Sequence, residues 1–543
     1  MAIITVETSP FDDQKPGTSG LRKRVSRFVE PNYLENFVQA IFDSLEGYEG
    51  KTLVLGGDGR FHNDVACGTI LQMAAANGFG KVIVGRGGIL STPAVSHLIR
   101  KYETFGGIIL SASHNPGGPN GDFGIKFNAA NGGPAKESLT EAFFARSKAI
   151  TSYKIIDTPA PPLSELGKFT LGNMDVEIVD PVADYADMME DLFDFDAIRA
   201  LRESGFSFCF DAMHAVTGPY ATEIFGNRLG FNPDNIWNAK PDESFGGGHP
   251  DPNLVHAKEL HDFAMRDDGP DLAAASDGDG DRNLIIGKQC FVSPSDSLAA
   301  LAANAHLVPA FKGGVVGVAR SMPTSAAVDR VAERLGVECH ETPTGWKFFG
   351  NLLDAGKISL CGEESAGTSG DHVREKDGVW AVLMWLNILA VRKISVRALM
   401  REHYEIHGRN YYARHDFEGI DADAAHTLMA DLEASFSDLQ GRTTRAGTIS
   451  DADSFSYHDP IDGSVSNNQG LRVFFEDGSR IVYRLSGTGT VGATLRVYLE
   501  RSEPSDGDLG KDVNTALSDL AKVADELAGI TERTGRTAPD VIT

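Results

Sequence analysis

"GGIILSASHNPGG", residues 106–118, decides the fold, because an apolar strand-like run leads directly into a polar, glycine-rich loop. One interpretation of the loop is a turn, since serine, asparagine, proline and glycine are common where strands end. The other is chemical: the hydroxyl of Ser113 and the imidazole of His114 are held at the carboxyl end of a strand, where open α/β sheets bind ligands. The rest of the chain discriminates between the two interpretations.

This arrangement occurs three times, each time at the end of a pattern of apolar strands and helices. The expected strands lie near residues 52–57, 81–85 and 106–111 in the first copy, 206–212 and 271–276 in the second, and 313–319, 337–341 and 357–362 in the third. Short apolar strands that alternate with helices predict mixed or parallel sheets covered on both faces.

The polar loop after the last strand differs between the copies. It reads "SASHNPGG" at 111–118, "DGDGDR" at 277–282 and "EESAG" at 363–367. Three related units therefore present a hydroxyl, a group of acids and a glutamate pair at equivalent strand ends. Turn chemistry alone does not explain this difference, and we expect the three loops to supply parts of one active site.

From about residue 408 the pattern changes. A helix over 423–436, alternating runs around Val473, Val482 and Leu495, and a last helix near 512–530 predict an α+β region with antiparallel strands. We therefore expect an α/β protein with three related α/β domains and mixed sheets, followed by a C-terminal α+β domain. The expected domain limits are 1–188, 189–298, 299–405 and 406–543.

Composition excludes several classes of function. The 543 residues carry a net charge of −26, which argues against a nucleic-acid partner or an anionic membrane surface. The five cysteines are scattered without a CxxC pair, as in a reducing compartment, and the N-terminus does not show a secretion pattern, so we expect a cytoplasmic protein. The longest apolar stretch, 380–391, is too short to span a bilayer and predicts a core helix.

The loop "SDGDGDR", residues 276–282, is the strongest chemical signal. Its carboxylates at Asp277, Asp279 and Asp281 repel one another unless a cation offsets their charge, and oxygen ligands suit Mg²⁺ or Ca²⁺. An EF-hand is excluded, because Arg282 and Lys288 stand where its glycine and glutamate are required. The alternative is a solvated acidic turn.

The stretch "RLSGTGTVGATLRVYLE", 484–500, contains three glycines spaced as GxGxxG. A dinucleotide site requires a helix after these glycines, whereas residues 494–499 alternate like a strand. The hydroxyls of Ser486 and Thr488 and the guanidinium groups of Arg484 and Arg496 instead suit a phosphate. The alternative is a glycine-rich hairpin without a ligand.

Two further stretches suggest contacts to a charged or hydroxylated ligand. "QKPGTSGLRKRV", 14–25, concentrates basic residues around a turn and predicts a local anion site, with a mobile basic terminus as the alternative. In "CGEESAG", 361–367, carboxylates at a strand end suit sugar hydroxyls, and Glu364 is expected to be solvated. Ser113 is then best interpreted as a phosphoryl acceptor and donor near a metal, with Lys126 within reach of the same site.

The ordered set of motifs resembles the α-D-phosphohexomutases, and among them the phosphoglucomutase branch that includes the animal enzymes, over essentially the whole chain. The motifs are "TSGLRKRV", "SASHNPGG", "DGDGDR", "TPTGWKFFG", "GEESAG", "REKDG" and "RLSGTG". The resemblance implies four domains around a central active-site cleft, a phosphoserine, one Mg²⁺ per chain and glucose 1,6-bisphosphate as intermediate and activator. It also implies a small phosphosugar as substrate, an isomerase activity in glucose metabolism and a monomeric protein.

The resemblance also assigns individual residues. It makes Ser113 the phosphoserine, whose phosphate completes a metal shell with Asp277, Asp279 and Asp281. Near the reacting groups it places Thr18, Ser19, Arg22, His114 and Arg282, with Lys126 and Lys376 as candidate acid–base groups. Sugar orientation is assigned to Thr344 and Gly345, sugar-hydroxyl contacts to Glu363 and Ser365, and the distal phosphate site to Arg484, Ser486, Thr488 and Arg496.

The substrate is left open in one respect. Ala366 stands where the animal pattern usually has a bulkier aromatic residue, beside the hydroxyl-binding pair, which loosens the inference of strict glucose preference. A phosphomannomutase or a phosphoglucosamine mutase is the enzymatic alternative. A catalytically silent binding or scaffold protein is the alternative of another class, and the intact serine loop and acid triplet argue against it.

Overall fold

A computed structural model describes residues 2–17, 19–486 and 492–543 of the protein, which forms two compact units. The first unit comprises residues 1–294, 304–317 and 345–397, and the second comprises 295–303, 318–344 and 398–543. The first two copies of the strand–helix pattern lie in the first unit, and the C-terminal region lies in the second. The third copy is divided between the units, so the four expected domain limits stay predictions.

The first pattern copy forms a seven-stranded mixed sheet. In spatial order its strands are Leu21–Arg24, Asp122–Ala129, Gly106–Leu110, Thr52–Gly57, Lys81–Ile89, Met174–Val179 and Gly167–Leu171. The four strands from Gly106–Leu110 to Met174–Val179 are parallel, and the flanking strands pair antiparallel. The helices of this region are Val25–Phe28, Tyr33–Asp43, Asn63–Asn77, Thr92–Lys101 and Glu137–Ser147, and Ile3–Glu7 pairs with Ser152–Ile156. Packing on both faces explains why the central strands are apolar without alternation.

The second copy forms a five-stranded mixed sheet in the order Ile236–Trp237, Phe208–Asp211, Leu272–Ser276, Asn283–Gly287 and Cys290–Val292. Its first three strands are parallel and the last two are antiparallel. The α-helices are Ala183–Leu192, Phe195–Glu203, Thr217–Ala221 and Lys258–Ala264. The helix Thr217–Ala221 continues directly into a π-helix at Thr222–Arg228.

The third copy contains the strands Gly317–Ser321, Glu338–Thr342, Leu360–Gly362 and Thr368–Gly370 and the helices Pro294–Asn304, Ala327–Leu335, Trp346–Asp354, Gly378–Arg392 and Val396–His407. Its first strand begins later than the expected residue 313, because Gly314 has a φ of +82° and makes a turn there. The predicted core helix at 380–391 is confirmed: Gly378–Arg392 is buried along almost its whole length.

Within the described residues, no single helix has both the length and the apolar composition needed to cross a bilayer. Gly378–Arg392 and Val396–His407 meet these criteria only when taken together, and the two helices are bent by 85° with respect to each other.

The C-terminal region forms a seven-stranded antiparallel sheet. Its order is Thr443–Thr444, Gly447–Ser454, Leu471–Phe475, Arg480–Ser486, Ala493–Glu503, Arg409–Ile420 and Val541–Ile542. The helices are Ala422–Ala434, Phe436–Leu439, Val513–Ala528 and Ile530–Thr534, and they pack on the sheet around one apolar core. The predicted fold class, α/β with mixed sheets followed by an α+β region, is confirmed.

Candidate active site

Ser113 lies in the first turn after the strand Gly106–Leu110, where the polypeptide leaves the sheet. Its side chain is buried, and its φ of +52° is a left-handed conformation that a non-glycine residue rarely adopts. The Ser113 hydroxyl donates to Asp277 Oδ2 at 2.9 Å and lies 3.3 Å from Nδ1 of His114. A merely structural turn does not explain a buried hydroxyl aimed at a carboxylate.

Asp277, Asp279 and Asp281 form a buried carboxylate cluster between two strands of the second sheet. One oxygen of each lies within 4.8 Å of the others, and all three side chains are at most 3% exposed. A Cβ on Gly278 would come within 2.3 Å of the Ser113 carbonyl oxygen, so only glycine permits this close approach of the two loops. The alternative of a solvated acidic turn is wrong.

The cluster has the electrostatics of a cation site. Burial, together with the charges of Asp281 and Asp279, raises the pKa of Asp277 well above its usual value. Burial also opposes ionisation of Asp279, but the charge of Lys126, the hydrogen bond from Thr92 and smaller contributions together outweigh burial and lower the pKa of Asp279. Oδ1 of Asp279 and Oδ1 of Asp281 are buried and accept no hydrogen bond. Carboxylate oxygens with unsatisfied lone pairs in this geometry fit a hard divalent cation.

Two lysines approach the cluster. Lys126 Nζ lies 3.8 Å from Asp279 Oδ2, and Lys376 Nζ lies 3.0 Å from Asp281 Oδ2. Burial by itself lowers the pKa of Lys376, but the charges of Asp281, Glu363 and Glu375 together outweigh burial and raise this pKa, so the side chain is held protonated. Lys376 is placed by the adjoining helix Gly378–Arg392, whose N-cap Asp377 accepts a hydrogen bond from the Trp380 amide at 3.1 Å.

Two arginines, Arg22 and Arg282, lie close enough to His114, the neighbour of Ser113, to influence its charge. Arg22 lies on the strand Leu21–Arg24, so the alternative of a mobile basic terminus is wrong for these residues. Burial lowers the pKa of Arg22, and burial with the charges of Arg282 and Arg22 lowers the pKa of His114 well below its usual value. Nε of Arg22 and Nε of Arg282 are buried donors without a hydrogen-bond acceptor in the described structure. An anion at Ser113 would supply the missing acceptors.

Of the residues predicted to recognise the sugar, Gly345 and Glu363 are in contact. The Gly345 amide donates to Glu363 Oε1 at 3.1 Å, and burial raises the pKa of Glu363. Ser365 is half-buried in the loop between two antiparallel strands, beside Ala366 with its φ of +72°. Glu364, expected to be solvated, is buried like Glu363. That expectation was wrong.

The second unit carries the predicted distal phosphate residues. Arg484 and Arg496 are opposite each other on neighbouring antiparallel strands, and Arg496 is paired in turn with Asp416 on the next strand. Ser486 ends the strand of Arg484 and is half-buried. Thr344 also belongs to this unit, and its hydroxyl is buried without a hydrogen-bond partner among the described residues.

Three predicted residues are not tested by these contacts. Thr18 and Thr488 lie outside the described residues, and Ser19 is a half-buried turn residue next to the bridge between Gly17 and Gly20. Gly20 brings this turn close to the strand Asp122–Ala129, which carries Lys126, since a Cβ on Gly20 would lie 2.7 Å from Cβ of Lys126.

Sequence reasoning missed two polar neighbours of the carboxylate cluster. The hydroxyl of Thr92 donates to Asp279 Oδ2 at 2.6 Å, and Glu375 Oε1 lies 3.4 Å from Lys126 Nζ. Thr92 begins a helix in the middle of the first pattern copy, and its sequence gives no signal of this contact. Glu375 precedes Lys376 in "REKDG", and its place in that motif was the only available signal.

Four family models match consecutive parts of the chain. They describe the α/β/α domains I, II and III of phosphoglucomutase/phosphomannomutase at residues 13–154, 183–289 and 294–407, and the C-terminal domain of phosphoglucomutase-1 at 409–540. Together these models cover most of the chain in the order that the motifs predict.

Full-length relatives match as well. The chain is 60% identical to a phosphoglucomutase of Rhizobium radiobacter and 51% identical to phosphoglucomutase-1 of Homo sapiens, in each case over 100% of both chains. Among solved structures it is similar to the open form of pp63/parafusin, a phosphoglucomutase from Paramecium. That match has a TM-score of 0.94 and 47% identity, and it covers 100% of this chain and 99% of that chain.

Proposed function

The chain belongs to the phosphoglucomutase/phosphomannomutase family, and on that premise we propose that it interconverts glucose 1-phosphate and glucose 6-phosphate through phospho-Ser113. It is an enzyme of the isomerase class that acts by phosphoryl transfer. The observation that carries the assignment to Ser113 is its buried hydroxyl, 2.9 Å from Asp277 in a cluster of three carboxylates.

Phospho-Ser113 gives its phosphoryl group to the free hydroxyl of the hexose monophosphate, and the Ser113 oxygen is the leaving group. The resulting glucose 1,6-bisphosphate reorients, and the phosphoryl group at its other end is transferred back to Ser113. Arg22 and Arg282 donate to the oxygens of the transferring group, for which their unpartnered Nε donors are available. His114, held neutral by burial and by its cationic surroundings, can hydrogen-bond the same group without adding charge.

We propose Mg²⁺ as the cation. Asp277, Asp279, Asp281 and the phosphate of Ser113 would hold one Mg²⁺. When bound, the cation offsets the charge of the phosphoryl oxygens. The two buried carboxylate oxygens without hydrogen-bond donors support this assignment.

We assign proton transfer and substrate binding to further residues. Lys126 is the candidate base that takes the proton of the attacking sugar hydroxyl, and Lys376, held protonated, is the candidate acid that gives a proton to the departing Ser113 oxygen. In the return step Ser113 attacks, and each lysine transfers its proton in the opposite direction. Arg484 and Arg496, with Ser486 and Thr488, hold the phosphate that is not reacting, and Glu363 and Ser365 accept or donate hydrogen bonds to sugar hydroxyls. Ser19 is assigned to the reacting phosphate, Thr18 has the same assignment from the resemblance alone, and Thr344 with Gly345 reads the orientation of the sugar.

The experiment that tests this function is a coupled assay of glucose 1-phosphate with and without glucose 1,6-bisphosphate. We expect turnover that the bisphosphate stimulates, and much lower turnover of mannose 1-phosphate and N-acetylglucosamine 1-phosphate. Preference for mannose 1-phosphate would replace glucose as the substrate and leave the mutase reaction in place. Loss of all turnover with a properly folded, Mg²⁺-supplied protein would support the silent-relative alternative instead.

The assembly and the compartment are also part of the proposal. We propose a monomer in a reducing, cytoplasmic setting, supported by five free cysteines of which Cys67, Cys209 and Cys361 are buried. Light scattering after size-exclusion chromatography should give the mass of one chain, and a concentration-dependent dimer mass would contradict the monomer.

A further inference from the structure

The left-handed backbone of Ser113 needs support from its surroundings. A non-glycine residue at a φ of +52° is strained, and such a conformation persists only when neighbouring contacts hold it. The contacts at Ser113 come from residues that follow the neighbouring parallel strand Thr52–Gly57, in the sequence "DGR" at 58–60. The carboxyl ends of the two strands meet at the same edge of the sheet, which brings these residues to the serine loop.

Both backbone polar groups of Ser113 lead to one buried ion pair. The Ser113 amide donates to Ser111 Oγ at 2.7 Å, and the Ser111 hydroxyl donates to Asp58 Oδ2 at 2.6 Å. The Ser113 carbonyl accepts a hydrogen bond from Arg60 Nη2 at 2.7 Å. Arg60 and Asp58 form an ion pair at 2.8 Å, and both side chains are fully buried. These contacts form a closed ring that runs from the Ser113 amide through Ser111, Asp58 and Arg60 back to the Ser113 carbonyl.

The same guanidinium group reaches the other end of the serine loop. Arg60 Nη1 donates to the carbonyl oxygen of Asp122 at 2.9 Å, at the start of the strand Asp122–Ala129. The Phe245 ring lies 5.2 Å from the guanidinium carbon. One planar, buried side chain therefore fixes the loop at both ends.

We propose that the Asp58–Arg60 pair positions Ser113, so that its oxygen stays aligned with Asp277 during phosphoryl transfer. The proposal rests on the proposed function, because it assigns these residues to the phosphoserine step. A fully buried ion pair is weak evidence for stability as such. Here Arg60 binds the backbone of Ser113 directly and Asp58 does so through Ser111, and neither needs to touch the substrate.

Lysine cannot replace Arg60 in this role. The guanidinium group holds Asp58 and two loop carbonyls with a rigid, planar set of donors, whereas an ammonium group is a single point of charge. The charge balance with Asp58 survives in Arg60→Lys, so the substitution removes the geometry and retains the ion pair. This makes it a better test than Arg60→Ala, which would leave Asp58 as a buried unpaired charge.

The test measures kcat, KM, melting temperature and the single-turnover rate of transfer from phospho-Ser113 to glucose 1-phosphate, all on Arg60→Lys. We expect kcat and the transfer rate to fall about 100-fold, as for a small misplacement of a reacting group. KM should change by less than about twofold, because Arg60 does not contact the substrate. The matched control is Arg409→Lys in the second unit, where the arginine binds the Leu509 carbonyl at 2.7 Å. It should lower the melting temperature without reducing kcat.

A second substitution tests the hydrogen bonds that connect the Ser113 amide to Asp58. Ser111→Ala removes the hydroxyl between the Ser113 amide and Asp58, and we expect the transfer rate to fall about tenfold. Its control is Ser479→Ala, a buried serine whose hydroxyl accepts from the Ser502 amide at 3.1 Å. That variant should keep the wild-type rate.

Wild-type transfer rates in both Arg60→Lys and Ser111→Ala, with only lower melting temperatures, would overturn the positioning role. Absence of transfer in the wild-type protein itself would instead refute the proposed function, so the two failures are distinguishable.

Discussion

Arg484 and Arg496 stand directly opposite each other on neighbouring antiparallel strands of the C-terminal sheet. Like charges in this position destabilise a sheet unless something offsets them. Asp416 lies opposite Arg496 on the next strand, but its carboxylate is 3.8 Å from Arg496 Nε and is also 3.0 Å from Arg414. The facing arginines have one carboxylate beside them, which Arg496 shares with Arg414, and a phosphate would complete this site.

Arg496→Ala tests this interpretation. It removes a charge-assisted contact worth about 1.5–3 kcal/mol, made in the ground state and the transition state alike, so we expect KM to rise with little first effect on kcat. Weaker holding should also release more glucose 1,6-bisphosphate during turnover and increase the dependence on added bisphosphate. The measurements are KM, released bisphosphate and melting temperature on one preparation.

The matched control for this prediction is Arg501→Ala, on the same strand Ala493–Glu503, which should keep the wild-type KM. Since Arg496→Ala also relieves a like-charge pair, its melting temperature should not fall. A normal KM with a lowered melting temperature would mean that the two arginines are structural and that the distal phosphate lies elsewhere.

The second prediction concerns Ser113. Intact mass and peptide mapping of the purified protein should find up to about one phosphate, located on Ser113, because we propose this hydroxyl beside the carboxylate cluster as the nucleophile. Ser113→Ala should lose the phosphate and the activity, whereas Ser207→Ala, at an exposed serine bonded to Asp271, should lose neither. Full activity of Ser113→Ala would disprove the assignment.

The third prediction concerns the cation. Asp279→Asn removes one ligand charge from the buried cluster, and we expect activity to fall by several orders of magnitude, an effect worth roughly several kcal/mol. Calorimetric titration with Mg²⁺ should show weakened binding. Asp271→Asn, next to the strand Leu272–Ser276 at the end away from the cluster, is the control and should bind Mg²⁺ normally. Activity that persists in EDTA would contradict a role for the metal.

The fourth prediction is a pH dependence of stability. Burial, with the nearby His407 and Arg330, lowers the pKa of His403 to about 3 in the folded protein, against about 6.5 when unfolded. Between these values the unfolded chain binds a proton that the folded chain does not bind. The free energy of unfolding should therefore fall as the pH decreases from about 6.5 toward 3, by up to about 1.4 kcal/mol per pH unit from this group.

Denaturant unfolding at several pH values checks this prediction. His403→Phe should flatten the dependence below pH 6.5, since it removes the group and keeps an aromatic ring beside His407. The exposed His458 provides the control, His458→Gln, which should retain the wild-type dependence. If the free energy of unfolding of His403→Phe depends on pH as in the wild-type protein, other titratable groups cause the dependence.

The order of the elements and the chemistry at the strand ends could be predicted from the sequence. Buried parallel strands are continuous apolar runs, so Thr52–Gly57 and Gly106–Leu110 were predicted within a residue of their observed limits. Asp277, Asp279 and Asp281 were identified because their local repulsion requires a cation, whatever the rest of the fold does. Gly314 shows the limit of this approach, since its left-handed turn delays a strand that composition alone extends to residue 313.

Contacts between distant residues, in contrast, became known only from the three-dimensional fold. Glu364 is buried although its neighbours in sequence are polar, and Thr92 reaches Asp279 across 187 positions of the chain. Arg60 follows a strand in an ordinary polar turn, and its two bonds to the serine loop arise only because neighbouring parallel strands end at one edge. Sequence periodicity reports which face of an element is apolar, whereas contacts between loops depend on sheet order, which a local pattern does not contain.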